Sequence, residues 1–226
     1  MRRARVAIVV ALLCAVAFAA RFTTIGIALN TWTGFGFNPN SSEMRQLREV
    51  LALKPGMSVA DVGTGKGQLA LALAREVGPA GRVFATDIDA ERVAALRAAV
   101  EKENLKNVVL VQAKPREAGL PSACCDAIVL RRVYHHLTDP AETNLGLRDA
   151  LRPGGLLVVI DFPPPLAWLW PWPPEGVPSN RGGQGVASKL VIEEVTASGL
   201  ELKEIVKDWP GPRPLDTYSV VFRRAN

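Results

Sequence analysis

The sequence predicts an α/β fold: a seven-stranded sheet, mostly parallel with an antiparallel C-terminal strand, and helices on both faces. From about residue 40 onward, apolar runs of strand length alternate with amphipathic runs of helix length, which is typical of a parallel sheet covered by helices. A turn with three glycines, 63–67, joins one predicted strand directly to a helix. Two strand-like runs near the C-terminus have no helix between them, so we expect them to pair antiparallel.

The elements follow in order from a helix that is predicted to begin near Asn40. Asn40 and Glu43 are spaced for reciprocal capping, and Met44 and Leu47 lie on one face of that helix. Strands are then predicted at 58–62, 82–86, 108–112, 127–130 and 156–160, and helices at 67–77, 90–103 and 140–151.

The C-terminal third departs from this alternation. Residues 162–185 are rich in proline and contain Trp168, Trp170 and Trp172, so we predict a long substrate loop or lid. This loop is expected to line an apolar substrate pocket, to touch a membrane surface, or simply to be stabilised by aromatic packing. A helix at 188–198 and strands at 201–208 and 217–223 complete the prediction.

A hydrophobic segment precedes the domain. Three arginines are followed by an uninterrupted run of apolar or small residues, 6–20, which ends in a small-residue cleavage pattern. As a helix this run spans about 22 Å, short of the roughly 30 Å hydrocarbon core, which favours a signal peptide over a membrane span. We therefore predict a signal or anchor segment at 1–20, a linker at 21–39 and a domain at 40–226. The protein is expected to be exported or membrane-anchored, and residues 6–20 are the candidate for membrane association.

Charge and cysteine content argue against several other functions. The formal net charge is +5, but three of those charges precede the apolar run, and the remaining Lys and Arg are scattered among acidic residues. We therefore expect no nucleic-acid partner, because binding would need a basic stripe. Cys14, Cys124 and Cys125 cannot build a disulfide framework, since one lies in the leader and two are adjacent. Their separations do not fit a zinc site, and no metal is predicted.

The glycine-rich turn is the strongest functional signal in the chain. An apolar strand runs directly into Gly63, Gly65 and Gly67, and a helix follows. Glycine permits a sharp turn and a close approach of ligand to backbone, and a helix N-terminus offers N–H groups and a positive dipole end. Asp87, at the end of the next strand, has the position of a ribose-binding carboxylate. We therefore expect a nucleotide-like ligand, although the same glycines in a structural role would form only a tight turn.

The spacing of these glycines distinguishes two ligand classes. NAD-binding turns follow G-x-G-x-x-G, whereas this chain reads D-x-G-x-G-x-G, starting at Asp61. Further segments follow in a fixed order: Gly81–Asp89, Cys125–Leu130, Tyr134–Pro140 and Leu151–Asp161. Over roughly residues 43–161 the chain resembles the class I, Rossmann-like S-adenosylmethionine-dependent methyltransferases, and it is most similar to the group that contains ubiquinone-biosynthesis-type enzymes. The resemblance implies a Rossmann-like sheet, S-adenosylmethionine as the cofactor, and methyl transfer.

The resemblance also implies a role for each matching residue. Gly63 and Gly65 would lie under the methionine and ribose portions, Asp61 would hold the methionyl amino end, Asp87 would accept hydrogen bonds from both ribose hydroxyls, and Ile88 would pack on adenine. Thr64 and Gly67 complete the predicted cofactor-binding set. The chain departs from many relatives at Ala113-Lys114-Pro115, where an acidic residue would hold the adenine amino group; Glu117 is a candidate substitute.

Tyr134, His135 and His136, after the fourth strand, are the predicted catalytic residues. Methyl transfer mainly needs alignment and exclusion of water, because the sulfonium is already activated. A base is needed only when the acceptor still holds its proton, and His135 and His136 are the only histidines in the chain. The alternative is that Tyr-His-His-Leu merely caps the next helix.

Three functions remain open from the sequence. The first is methylation of a small-molecule or lipid-like acceptor. The second is a non-catalytic module that binds S-adenosylmethionine, because an exported enzyme would need a supply of a cofactor made in the cytosol. The third is an NAD-dependent oxidoreductase, which the glycine spacing and the antiparallel C-terminal pair disfavour.

Overall fold

The sheet determines where a ligand can bind, because its parallel strands all end on one edge. A computed structural model describes residues 37–38, 41–164, 175–181, 185–210 and 217–226, which belong to one compact unit, Phe37–Asn226. Its strands are β1 (Ser58–Val62), β2 (Arg82–Asp87), β3 (Val108–Gln112), β4 (Cys125–Arg131), β5 (Leu151–Asp161), β6 (Glu201–Val206) and β7 (Tyr218–Arg223). They form a seven-stranded sheet in the order β3-β2-β1-β4-β5-β7-β6.

Strand directions match the predicted fold. β1 to β5 pair in parallel, and β7 lies antiparallel to both β5 and β6. The chain order reverses at β1, which has β2 on one side and β4 on the other, and ligands of open α/β sheets bind in the crevice at such a switch point. The predicted antiparallel pairing of the last two strands is confirmed.

Helices cover both faces of the sheet. They are α1 (Ser42–Leu51), α2 (Gln68–Val77), α3 (Ala90–Lys102), α4 (Pro140–Ala150) and α5 (Ser188–Ala197). Two buried apolar clusters follow from the alternation of side chains along each strand: Val59 packs with α1, α2 and α3, whereas its neighbour Ala60 packs with α4 and α5. Burial on both faces explains why the central strands are almost wholly apolar.

Many element boundaries differ from the predictions by one or two residues, and the start of β5 differs by five. The N-cap of α1 is Ser41, whose hydroxyl accepts a hydrogen bond from the Met44 amide, while Asn40 lies outside the described residues. β5 begins at Leu151 instead of residue 156, because Leu151 pairs with Cys125 across a bulge before regular pairing resumes. The Pro-Gly-Gly sequence therefore lies within the strand, and Gly154 has a positive φ of +77°.

The cysteines and the N-terminal segment can be compared with their predictions only in part. Cys124 and Cys125 are joined by a disulfide, which links adjacent residues and closes no loop between elements. The hydrophobic run 6–20 and the three tryptophans of the lid lie outside the described residues. Within the described ranges, no helix has both the length and the apolar character that a membrane span requires. The export segment and the three-region division of the chain thus remain predictions.

Candidate active site

A cleft of about 430 Å³ lies at the carboxyl ends of β1, β2 and β4. Its walls include Gly63, Asp87, Ile88 and His136, which the sequence analysis had assigned to a site from separate segments. The segment after β3 supplies further wall residues, and so does the lid, through Glu175 and Val177. The structure therefore brings four of the predicted residues together at the switch point of the sheet.

The three glycines of the turn have different roles. All three adopt left-handed backbone, with φ of +71° at Gly63, +56° at Gly65 and +73° at Gly67. A Cβ at Gly63 would collide with Val133, and one at Gly67 would collide with Leu96, whereas nothing lies within 4 Å of a Cβ at Gly65. Gly65 is thus the position with open space above bare backbone, and Gly67 serves the packing of α2 against α3.

The amide groups of the turn are already hydrogen-bonded. The Thr86 carbonyl accepts from both the Gly63 and the Thr64 amides, each at 2.8 Å, and the Gly67 amide donates to the Thr64 carbonyl at 2.9 Å. These N–H groups are therefore not available to a ligand, because those of Gly63 and Thr64 tie the turn to β2 and that of Gly67 closes the turn itself. Gly67, predicted to bind cofactor, is placed in the packing and hydrogen bonding of the turn.

Asp87 is held rigidly at the end of β2. Its carboxylate is 4% exposed and accepts hydrogen bonds from the Gly65 amide at 2.8 Å and the Asp89 amide at 3.0 Å. Arg92 approaches the same carboxylate to 3.9 Å. The next residue, Ile88, is 60% exposed at the cleft, which is a large exposure for an isoleucine and provides an apolar surface for a ring. Both positions fit the predicted ribose and adenine contacts.

Asp61 lies buried beneath the turn, in contact with the buried side chain of Thr64. The Thr64 hydroxyl donates to the Asp61 carboxylate at 2.7 Å, and Asp61 is 2% exposed. Burial raises the pKa of Asp61 to about 6, while the Thr64 hydrogen bond and the positive charge of Arg131 act in the opposite direction. A buried carboxylate with a raised pKa gains from a nearby cation, such as the amino group that Asp61 is predicted to hold.

A buried ion pair next to Asp61 was missed by sequence analysis. Arg131 donates two hydrogen bonds to Glu43 of α1, both at 2.8 Å, and the Trp209 indole donates to the same carboxylate at 3.2 Å. Since Asp61 pairs with Val129 in the sheet, Arg131 two residues on extends from the same face. Glu43 and Arg131 are 88 residues apart, so no local pattern could indicate the pair.

Tyr134, His135 and His136 form a short 3-10 turn after β4, but they face different surroundings. His136 is exposed in the cleft wall, and partial burial together with neighbouring His135 lowers its pKa, so the neutral ring that can accept a proton is favoured. Tyr134 is fully buried; its hydroxyl donates to Glu194 at 3.1 Å and accepts from Asn144 at 2.7 Å. The structure therefore assigns Tyr134 to the core, contrary to its predicted place in the site.

The described part of the lid is anchored by a buried arginine. Arg181 is 1% exposed, donates to Glu194 of α5 at 2.9 and 2.7 Å, and lies over the Tyr134 ring at 5.6 Å. Burial of so polar a side chain is tolerated because its two terminal nitrogens, Nη1 and Nη2, both donate to one carboxylate. The lid segment that supplies Glu175 and Val177 to the cleft is thereby fixed to the helix layer.

The segment after β3 forms another part of the cleft wall. Lys114 and Glu117 pair through their backbones, and the Lys114 ammonium lies 3.6 Å from the Glu117 carboxylate. Both side chains line the cleft. Glu117, the candidate substitute for the missing acidic residue, is thus placed at the site.

Comparison with known proteins identifies the family. The model of the methyltransferase-domain family matches residues 53–205. A ubiquinone/menaquinone biosynthesis C-methyltransferase, UbiE, of Shewanella frigidimarina is 31% identical over 122 residues, covering 54% of this chain and 49% of that protein. UbiE of Hahella chejuensis is 30% identical over 114 residues, covering 50% and 46%. The chain spans about half the length of these curated relatives.

Solved structures agree on the fold. A SAM-dependent methyltransferase of Aquifex aeolicus superposes with a TM-score of 0.65 at 24% identity, covering 84% of this chain and all of that one. The [4+2]-cyclase SpnF also superposes with a TM-score of 0.65, at 17% identity, covering 84% of this chain and 85% of that one. At such identities the likeness establishes the sheet topology, and a cyclase among the neighbours shows that one topology supports different reactions.

Proposed function

Because the chain belongs to the methyltransferase-domain family of class I, S-adenosylmethionine-dependent methyltransferases, we propose that it transfers the methyl group of this cofactor to a small-molecule or lipid-like acceptor. The observation that carries the proposal is the cleft in which Gly63, Asp87 and Ile88 face the same space as His136. Family and fold leave the NAD-dependent alternative without support.

The residues of the cleft fit the cofactor. Asp87 is a rigid carboxylate for a ribose diol, Ile88 is an apolar surface for adenine, and the open space at Gly65 leaves room beside the turn. Asp61, buried with a raised pKa, is suited to an amino group nearby. When bound, S-adenosylmethionine supplies a methyl group that is already activated by the attached sulfonium.

The contribution of the protein to methyl transfer is positional. The walls align the acceptor with the cofactor and reduce the water around them, which can account for much of the acceleration. His136 lines the cleft and is the base that we propose, and a base contributes about 10²–10⁴-fold when the acceptor still holds a proton. His136 is therefore the residue that we expect to accept the proton.

The surface next to the cleft favours an acceptor with an apolar part. A second cavity, of about 550 Å³, lies between α4, α5 and Pro178 of the lid, and Thr138 lines both spaces. Its lining includes Pro140, Ala141 and Leu145, which suit an apolar chain. The name of the UbiE relatives specifies ubiquinone and menaquinone biosynthesis and methylation at carbon, so a quinol-like ring with an apolar tail is the acceptor class we propose.

The site of action is proposed from the sequence alone. Residues 1–20 would export the domain or anchor it, and an apolar acceptor would then be met at a membrane. Fractionation of cells that express the full chain tests this point: recovery in the soluble cytosol with residues 1–20 intact would contradict it.

The function is tested by transfer from tritium-labelled S-adenosylmethionine to a naphthohydroquinone that carries a short isoprenoid chain and a free ring carbon. We expect label in the extracted lipid with the wild type and a loss of about 10²-fold in kcat with His136→Gln. A cellular lipid extract serves as a second acceptor. Binding of the cofactor without transfer to either acceptor would favour the non-catalytic module instead.

A further inference from the structure

Asp161, at the end of β5, is a fully buried carboxylate with an unusually complete set of partners. Its oxygens lie 2.8 and 3.0 Å from Nδ1 of His135 and accept hydrogen bonds from the His135 amide at 3.2 Å and the Phe162 amide at 3.0 Å. Every one of these contacts involves the 3-10 turn after β4 or the first residue of the lid. Asp161 thus joins the two segments that leave the central strands at the cleft.

The carboxylate determines how the His135 ring is held. With Asp161 accepting at Nδ1, the neutral imidazole carries its proton there and leaves the lone pair on Nε2. The ring is 5% exposed and contacts two others at a tilt, with its centroid 4.0 Å from that of His136 and 5.2 Å from that of Phe162. His135 is therefore a fixed surface against which the exposed ring of His136 rests.

We propose that Asp161 is a positioning residue for methyl transfer: by orienting His135 it holds the adjacent His136 ring, tilted 43° to that of His135, in the cleft, where His136 accepts the proton of the acceptor. This inference rests on the proposed function. Asp161 does not touch the reacting atoms. Its role resembles that of any buried carboxylate that fixes a histidine through Nδ1.

The step balances with groups already named. The acceptor oxygen or ring carbon forms its bond to the methyl carbon, the carbon–sulfur bond breaks with its electron pair left on sulfur, and the proton of the acceptor passes to the imidazole of His136. Because His136 is exposed in the cleft, it can then release that proton to solvent.

The charge environment of His136 makes the arrangement measurable. Burial and His135 lower its pKa, Asp161 acts in the opposite direction, and Arg92 lowers it further. Other charged groups in the cleft walls are Asp87, Lys114, Glu117 and Glu175. Removing the charge of Asp161 should therefore move the titration of His136 to lower pH.

The test uses ¹⁵N NMR of the full chain labelled with ¹⁵N-histidine. The chain contains two histidines, so the spectrum reports on His135 and His136 alone. In the wild type at pH 8 we expect one ring, His135, to carry its proton on Nδ1, and the other to titrate below the ordinary histidine range. Asp161→Asn should lower the titration midpoint of His136, whereas the matched control Asp149→Asn, on the exposed end of α4, should not.

A His135 ring protonated on Nε2 in the wild type would overturn the proposal. This measurement is made on the wild-type protein, so it does not depend on whether a variant folds. With the naphthohydroquinone acceptor, Asp161→Asn should lower kcat and leave the KM for cofactor unchanged; an unchanged kcat would also overturn it. Absence of transfer by the wild type contradicts the proposed function, whereas the NMR result depends on no turnover, so the two failures are distinguishable.

Discussion

The two halves of the sheet build the cleft in different ways. On the side of β1 and β2 the site is built largely from backbone: a glycine turn whose Gly65 amide donates to the carboxylate of Asp87 at the end of a strand. On the side of β4 and β5 it is built from buried pairs of side chains on different elements, such as His135 with Asp161 and Arg181 with Glu194. We expect the first half to bind the cofactor, whereas the second half contains the residue proposed as the base and the anchor of the lid.

If the second half depends on buried pairs, breaking one should cost stability without affecting cofactor binding. Arg181→Met leaves Glu194 without its cationic partner, and loss of one member of a buried pair costs about 3–5 kcal/mol in the free energy of unfolding. Urea unfolding measures the change. The double variant Arg181→Met/Glu194→Gln should recover part of the lost stability, because no uncompensated charge remains buried. An equal loss of stability in the single and double variants would contradict a stabilising role for the ion pair.

If the side of β1 and β2 binds the cofactor, removal of the Asp87 carboxylate should lower the affinity for the cofactor. Asp87→Ala removes charge-assisted hydrogen bonds to the ribose, each worth about 1.5–3 kcal/mol, so binding should weaken by at least about 100-fold. Calorimetry with S-adenosylhomocysteine checks this. Asp89→Ala is the matched control, because it removes the side-chain cap of α3 and should cost about 1 kcal/mol of stability with little change in affinity.

On the same side of the sheet, the roles of Gly63 and Gly65 in stability and in cofactor binding can be distinguished by substitution. Gly65→Ala places a methyl group in open space, so the left-handed backbone costs about 1–2 kcal/mol of stability and the cofactor meets the new side chain. Gly63→Ala collides with Val133 in the folded protein itself. We expect Gly65→Ala to lose more affinity than stability and Gly63→Ala the reverse. Parallel losses in the two variants would show that the turn is purely structural.

The pH dependence of binding should report on Asp61. Its pKa is raised to about 6 in the folded chain, so the carboxylate becomes protonated as the pH falls through 6 and can no longer pair with an ammonium group. Affinity for S-adenosylhomocysteine should fall by up to about tenfold per pH unit below that value. Asp61→Asn should bind more weakly at pH 7.5 and show a flatter profile. Because protonation favours the folded state between the ordinary pKa and 6, the ligand-free wild type should also gain stability as the pH falls through this window.

The same contrast explains what sequence analysis predicted. The mostly parallel sheet with its antiparallel C-terminal strand follows from the alternation of elements along the chain, and it is confirmed. The glycine turn and Asp87 were predicted from patterns within a few dozen residues and both contribute to the cleft, while their roles in cofactor binding remain predictions. The pairs of Glu43 with Arg131 and of His135 with Asp161 join side chains of different elements that no local pattern links, so only the packed sheet reveals them. Tyr134 was assigned to the site because it adjoins two histidines, but successive residues of a 3-10 turn point in different directions.

The most direct test is a crystal structure of the chain with S-adenosylhomocysteine. The account predicts the ribose hydroxyls about 2.6–3.0 Å from the Asp87 carboxylate, the adenine over Ile88, and the sulfur on the side of the cleft that His136 lines. A ligand bound elsewhere, or bound here with its ribose turned away from Asp87, would contradict it.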